Sequence, residues 1–222
     1  GEFKDFHYTG MLYEQDEDAS FYICRVTDNS CKININAEYK DILERSLKIL
    51  FDSLKVKDIS EKIIDSRKDG YLSMDNFKIR MNLDDNDFNK IKPYLCTSNY
   101  EEMFYDPKEK KLVSYHPINI NSAPKEILLT VFSKAKGKFT FSDKTEEISE
   151  YKAEKLVEKI IDKRPFISWQ EVSEFFKSEE MSKSFSPEEL SIAFSTACPF
   201  VLPNSNNPRS EEHTSELQSR QV

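Results

Sequence analysis

Cysteine and histidine are the side chains best suited to act as nucleophile, general base or soft metal ligand near neutral pH. This chain has four cysteines, Cys24, Cys31, Cys96 and Cys198, and three histidines, His7, His116 and His213. No two cysteines form C-x-x-C, and the histidines do not complete a zinc spacing. Disulfides are open to these cysteines outside the cytosol, but spacing does not pair them. Scattered buried or reduced thiols remain the alternative. His7 and His116 stand near no evident nucleophile, and His116 precedes Pro117 at a strand start, a structural position. Trp169 follows a helix cap, where packing is the default role. The chain contains no P-loop, G-x-G-x-x-G, G-x-S-x-G or H-E-x-x-H. Catalysis needs converging groups, and none is legible, so an enzyme is not expected.

The remaining chemistry is charge. Acids cluster in EQDEDAS (14–20) and NLDDNDF (82–88), which read as solvated surface and helix capping rather than calcium loops. Lys55, Lys57, Lys134, Lys136 and Lys138 could meet phosphate. Net charge is −8, however, from 40 acids against 32 bases, so nucleic acid and anionic lipid gain no general attraction. No apolar run reaches membrane-spanning length.

The elements that carry these residues fall into three kinds. Residues 1–36 read as strands. FYICRV (21–26) is β-branched and aromatic, TDNS (27–30) is turn chemistry, and CKINI returns as the second arm of a hairpin. From 37 the period changes to that of a helix, with Tyr39, Ile42, Leu43, Leu47, Leu50, Phe51 and Leu54 on one face. Asp58 and Glu61 suggest a capping box ahead of KIIDSR, with Gly70 as the stop. Ser73 opens another helix, and Phe88, Ile91 and Leu95 share the face of a fourth. Residues 97–117 form a connector with a small hairpin turning at Asp106-Pro107.

The pattern then restarts. SAPKEILLTVF is a helix capped by Asn121 or Ser122, with Pro124 in its first turn. ISEYKAEKLVEKIIDKR carries a stripe of Ile148, Ala153, Leu156, Val157, Ile160 and Ile161. Capping boxes follow at Ser168/Glu171 and Ser186/Glu189, and STACPFVL reads as a return to strand. Two stretches therefore repeat. KININAEYKDIL (32–43) returns as PININSAPKEIL (117–128), aligning Asn34 and Asn36 with Asn119 and Asn121. EKIIDSRKDGYLSMDNF returns as EKIIDKRPFISWQEVSEFF, and the extra length of the second copy falls in a charged loop at 133–147.

Helix, turn, a helix running into I-I-x-x-R, then an aromatic and S-x-x-E/N is the order of SAM-like and helix-hairpin-helix units. Many such units hold DNA phosphate on a glycine hairpin, but no G-h-G occurs here. The whole order resembles the K-type minor pseudopilins of bacterial type II secretion. DNSCKININ matches the family's first opening, with Cys31 in place of a small residue, and ININSAPKEIL matches its second except for Ser122. IIDSRKDG keeps Asp65 and Asp69 but lacks the family's aspartate-rich run.

The resemblance covers about residues 15–202 and implies an α+β, mostly helical chain. Two SAM-like or helix-hairpin-helix-like repeats would be inserted in a partial pseudopilin strand domain. The divisions are 1–36 strand part, 37–114 first repeat, 115–195 second repeat and 196–208 return strand. Asn34, Asn36, Asn119, Asn121, Ser122 and Pro124 would be the repeat junctions. The implied function is non-enzymatic: a pseudopilus tip component, periplasmic and held at the inner membrane by an N-terminal helix that this sequence lacks. Its implied partners are the I- and J-type minor pseudopilins, with no nucleic acid. Some members of the family hold calcium, but no cofactor is expected here. The alternative is a helix-hairpin-helix DNA-binding protein of the DNA-uptake type; a generic extracytoplasmic interaction module is the third class. Finally, RSEEHTSELQS (209–219) resembles the translation of a widely used short-read sequencing adapter, so 209–222 is expected to be an artefactual disordered tail without function.

Overall fold

The structure, a computed structural model, describes residues 6–11, 21–26, 29–38, 40–99, 102–106, 110–138 and 145–197. These residues are mostly helical with a few short strands. They group into two compact units. One takes residues up to Ile118 together with Ser122–Val131; the other takes Asn119–Asn121 together with residues from Phe132 onward. The acidic stretch 14–20, Tyr39, the turn after Asp106, and residues 198–222 lie outside the described residues.

In the first unit β1 (Phe6–Met11) and β2 (Phe21–Val26) pair antiparallel, with Phe6 opposite Val26. The expected hairpin of FYICRV with CKINI is therefore not formed. Asn29–Cys31 is a 3-10 turn, and the chain enters β3 (Ile33–Asn34), which pairs parallel with β4 (Leu95–Cys96). The physical reason is local. The Asn34 side chain accepts the N–H of Asn36 at 2.9 Å and bends the chain after two strand residues, too few for a hairpin ladder.

Helix α1 (Lys40–Leu54) buries Leu43, Ser46, Leu47, Leu50 and Phe51, while Ile42 faces out. Helix α2 (Ser60–Ser66) lies against it and buries Ile63 and Ile64. The expected capping box at its start is absent. Asp58 accepts from the N–H of Ser60 at 2.9 Å, two residues on, and Glu61 reaches Lys48 at 3.4 Å. The helix also ends at Ser66, short of Gly70. Gly70 sits at φ +67, donates to the Arg67 carbonyl at 2.7 Å and turns the chain into Tyr71.

Helices α3 (Met74–Met81) and α4 (Asp85–Ile91) begin where Ser73 and Asp84 accept from the N–H of Asn76 and Asp87, at 3.1 and 2.8 Å. Their inner faces contribute Phe77, Met81, Phe88 and Ile91 to the core. The acids of 82–88 are thus a helix start; Asp85 also pairs with Lys78, which holds its carboxyl below the usual range. β5 (Glu102–Asp106) and β6 (Lys111–Tyr115) form an antiparallel pair in the connector.

Helix α5 spans Lys125–Phe132, and the charged insertion of the second unit is partly ordered as strand. β7 (Lys136–Lys138) and β8 (Thr145–Glu147) pair antiparallel, and Lys136 reaches Glu147 at 3.3 Å. Cross-strand opposite charges supply what a simple solvated loop would lack. Helix α6 (Glu150–Lys163) buries Ala153, Leu156, Val157 and Ile160, with Ile161 at the margin.

Helix α7 (Trp169–Lys177) packs on α8 (Glu179–Ser184) and α9 (Pro187–Ala197), and α9 also packs on β8. Helix α8 was not anticipated; Ser178 caps it and buried Met181 holds it down. Helix α9 starts with a reciprocal box, Glu189 N–H to Ser186 Oγ at 3.1 Å and Ser186 N–H to Glu189 Oε2 at 2.8 Å. It continues through 195–197, so the start of the expected return strand is helical. Among the described residues no helix is long and apolar enough to cross a membrane.

Candidate functional site

Asn34 ends β3 and Asn36 follows in the turn, and both side chains work on peptide groups. Asn34 Oδ1 closes the turn to the N–H of Asn36 at 2.9 Å. Asn36 then spans to Tyr71: its Oδ1 accepts the Tyr71 N–H at 2.8 Å and its Nδ2 donates to the Tyr71 carbonyl at 2.9 Å. The same Nδ2 donates to the Thr97 carbonyl at 2.9 Å. A primary amide suits this task because one planar group offers both an acceptor and two donors, matching the N–H and carbonyl of one residue.

Asn119 and Asn121 make the same bonds. Asn119 Oδ1 accepts the N–H of Asn121 at 3.0 Å. Asn121 Oδ1 accepts the N–H of Phe166 at 2.8 Å, and its Nδ2 donates to the Phe166 carbonyl at 2.8 Å. Asn34 and Asn119 are buried, which makes the paired geometry obligatory: an unmatched buried amide costs about 1–3 kcal/mol. Of the two residues expected to cap the following helix, Asn121 or Ser122, Asn121 spends its amide on Phe166. Pro124 directly precedes α5, and its carbonyl takes the N–H of Leu128 at 3.1 Å, while Ser122 lies half-buried in the turn between.

The clamped residues are core aromatics. The Tyr71 ring meets Phe77 edge-on at 5.2 Å, and its hydroxyl donates to the Ile63 carbonyl at 3.1 Å and lies 2.7 Å from Ser66 Oγ. Arg80 lies over its face at 4.7 Å and donates to the carbonyls of Gly70, at 2.6 Å, and Ser66. Arg67 donates to the carbonyls of Ala37 and Glu38, tying the end of α2 to the chain before α1. Phe166 meets Phe175 edge-on at 5.5 Å. Reading along the sequence found both asparagine pairs and both aromatics, but nothing in it linked the one to the other. The residues after the clamped aromatics, Leu72 and Ile167, are 87% and 65% exposed.

A polar cluster surrounds the first clamp. Asn34 Nδ2 donates to Asn99 Oδ1 at 3.1 Å and lies 3.3 Å from both ring nitrogens of His116. Asn99 and Asn29 bind backbone in turn: Asn99 Nδ2 donates to the Lys32 carbonyl at 3.3 Å and Asn29 Nδ2 to the Ser98 carbonyl at 3.2 Å. Cys96 is buried here, and burial pushes its thiol up to about 12, well above the ordinary 9.0. In the second unit burial lowers Arg164 to about 10.

Two of the lysines singled out for phosphate pair with carboxylates. Lys134 pairs with Glu150 at 2.8 Å and Lys136 with Glu147. Lys57 lines a groove of about 320 Å³ in the first unit, shared with Phe51, Lys62, Met81, Asp84 and Ile91. Lys62 is committed there to the Met81 carbonyl at 2.8 Å. Among the described residues no three His, Cys, Asp or Glu side chains converge as a metal group. The arrangement therefore acts on the chain itself: it fixes where strand-like segments hand over to helices.

No family model, no curated protein and no solved structure matches this chain.

Proposed function

We propose that this chain is the periplasmic part of a K-type minor pseudopilin, a non-enzymatic component at the tip of a type II secretion pseudopilus. Its helical region would consist of two SAM-like repeats inserted in a partial pseudopilin strand domain. The observation that carries the reading is the duplicated asparagine clamp. Asn34/Asn36 on Tyr71 and Asn119/Asn121 on Phe166 make the same bonds at the two openings that the family resemblance singles out. Two pairs agreeing in three hydrogen bonds each are hard to reconcile with an accidental sequence likeness.

On this reading the work is mechanical. The strand-rich part docks the I- and J-type minor pseudopilins, and the bulky helical part faces outward, where a thin filament has no room to stack it. The pairing of Lys134 and Lys136 with carboxylates, together with net charge −8, favours this over phosphate binding. The test is co-expression with the periplasmic parts of I- and J-type minor pseudopilins. Co-elution as one ternary complex is expected; elution of this chain alone at micromolar concentrations would sink the proposal.

A further inference from the structure

Two of the four cysteines lie close to the first clamp in the chain, Cys31 before β3 and Cys96 in β4. Cys31 is half-buried in the 3-10 turn before β3, and Cys96 is buried in β4, in the strand pair that places Asn34 opposite Cys96. Cys96 Sγ lies 3.9 Å from the Asn29 carbonyl oxygen and 3.7 Å from that of Ile33. Those carbonyls stand two residues before and two residues after Cys31, so the Cys96 sulfur sits beneath the turn that carries the Cys31 side chain. Cys31 is also among the groups that raise the Cys96 thiol, well after burial.

We propose that Cys31 and Cys96 form an intrachain disulfide when the folded chain meets a disulfide oxidant, fastening the turn before β3 to β4. The pairing stands on this geometry; its occurrence in the cell rests on the periplasmic reading above, which supplies an oxidising compartment. The less buried Cys31 is the entry point. Its thiolate attacks one sulfur of the oxidant's disulfide, and the other sulfur leaves as a thiol. Cys96 then gives its proton to solvent and attacks Cys31 Sγ, releasing the second thiol of the oxidant. Two S–H bonds and one S–S bond of the reactants become one protein S–S bond and two S–H bonds, so the cysteine pair is oxidised by two electrons and the oxidant reduced by two. The Cys96 thiol, held up to about 12 by burial, is a poor attacker of external disulfides, which leaves it to act second.

The bond would enclose α1 to α4 in one covalent loop, and it constrains the unfolded chain far more than the folded one. The sequence allows a direct reading, because trypsin leaves the four cysteines on four different peptides, with Cys31 on 26–32 and Cys96 on 91–108. The purified full chain is incubated with oxidised glutathione, capped with iodoacetamide without reduction, and mapped by mass spectrometry. The expected product joins 26–32 to 91–108 at two hydrogens less than their sum, with a rise in urea midpoint that reductant abolishes. Cys24→Ser/Cys198→Ser keeps both results, and Cys31→Ser loses both. Joining of Cys31 or Cys96 to Cys24 or Cys198, stable glutathione adducts on either residue, or full alkylation of both would overturn the pairing. Failure of co-elution with partner pseudopilins would leave this result standing.

Discussion

The side-chain amide of Asn36 holds the peptide groups on either side of Tyr71, accepting its N–H at 2.8 Å and donating to its carbonyl at 2.9 Å. The two residues stand 35 positions apart in sequence, with α1 and α2 between them. Asn121 does the same to Phe166 across 45 positions. Each clamp fixes the chain just before a serine-capped helix, so a side chain at the strand end sets where the third element starts.

Removing a clamp should therefore cost more than a typical surface polar change. Asn36→Ala deletes three hydrogen bonds and leaves the Tyr71 and Thr97 carbonyls short of a donor; a loss of about 2–4 kcal/mol is expected. Asn121→Ala deletes the two clamp bonds and should cost about 1–3 kcal/mol. Urea denaturation of each variant checks the order, and a midpoint unchanged in Asn36→Ala would contradict the assignment. Asn36→Asp is the sharper control, because it keeps the acceptor but replaces two donors by a carboxylate facing carbonyls.

Gly137 in β7 is a packing requirement. A Cβ there would come 2.6 Å from Ile192 Cγ1 on α9, inside any real contact. Gly137→Ala should destabilise the second unit by about 1–3 kcal/mol through overpacking. Ile192→Ala in the same chain removes the clash, so the double variant should lose less than the two single losses added together. Simple additivity in thermal or urea unfolding would show that β7 does not press on α9 as described.

Cys96 gives the reduced protein a predictable alkaline weakness. Its folded pKa, about 12, lies above the ordinary 9.0, so the folded state holds the proton more tightly. That contribution is complete below pH 9.0 and fades as pH climbs toward 12. The slope cannot exceed about 1.4 kcal/mol per pH unit. With reductant present, unfolding free energy of the native chain should fall faster between pH 8 and 10 than that of Cys96→Ala. Parallel pH profiles would refute the cause given.

Leu72 and Ile167 follow the two clamped aromatics and stand in solvent. Leu72→Ser and Ile167→Ser should change stability by no more than about 0.5 kcal/mol. A larger loss, read as a shift in urea midpoint, would mean that these side chains are covered in the folded chain.

Because their signals are local, sequence alone determined most of the helices, though not α8 or the full length of α9. The three- and four-residue spacing of Leu43, Leu47, Leu50 and Phe51, or of Ala153, Leu156, Val157 and Ile160, dictates a buried face whatever lies opposite. The serine caps at 73, 168 and 186 likewise act within three residues. The asparagine pairs were visible for the same reason, as a repeated motif.

Tertiary structure decided what is non-local. The expected partner of FYICRV is CKINI, but its backbone pairs with Phe6–Met11. Ile33–Asn34 pairs with Leu95–Cys96 although four helices lie between them in sequence. The clamps on Tyr71 and Phe166, and the placing of Cys96 against the Asn29 and Ile33 carbonyls, belong to that class. A hydrogen bond between residues far apart carries no periodicity along the chain, so its partners become legible only when the intervening helices have packed.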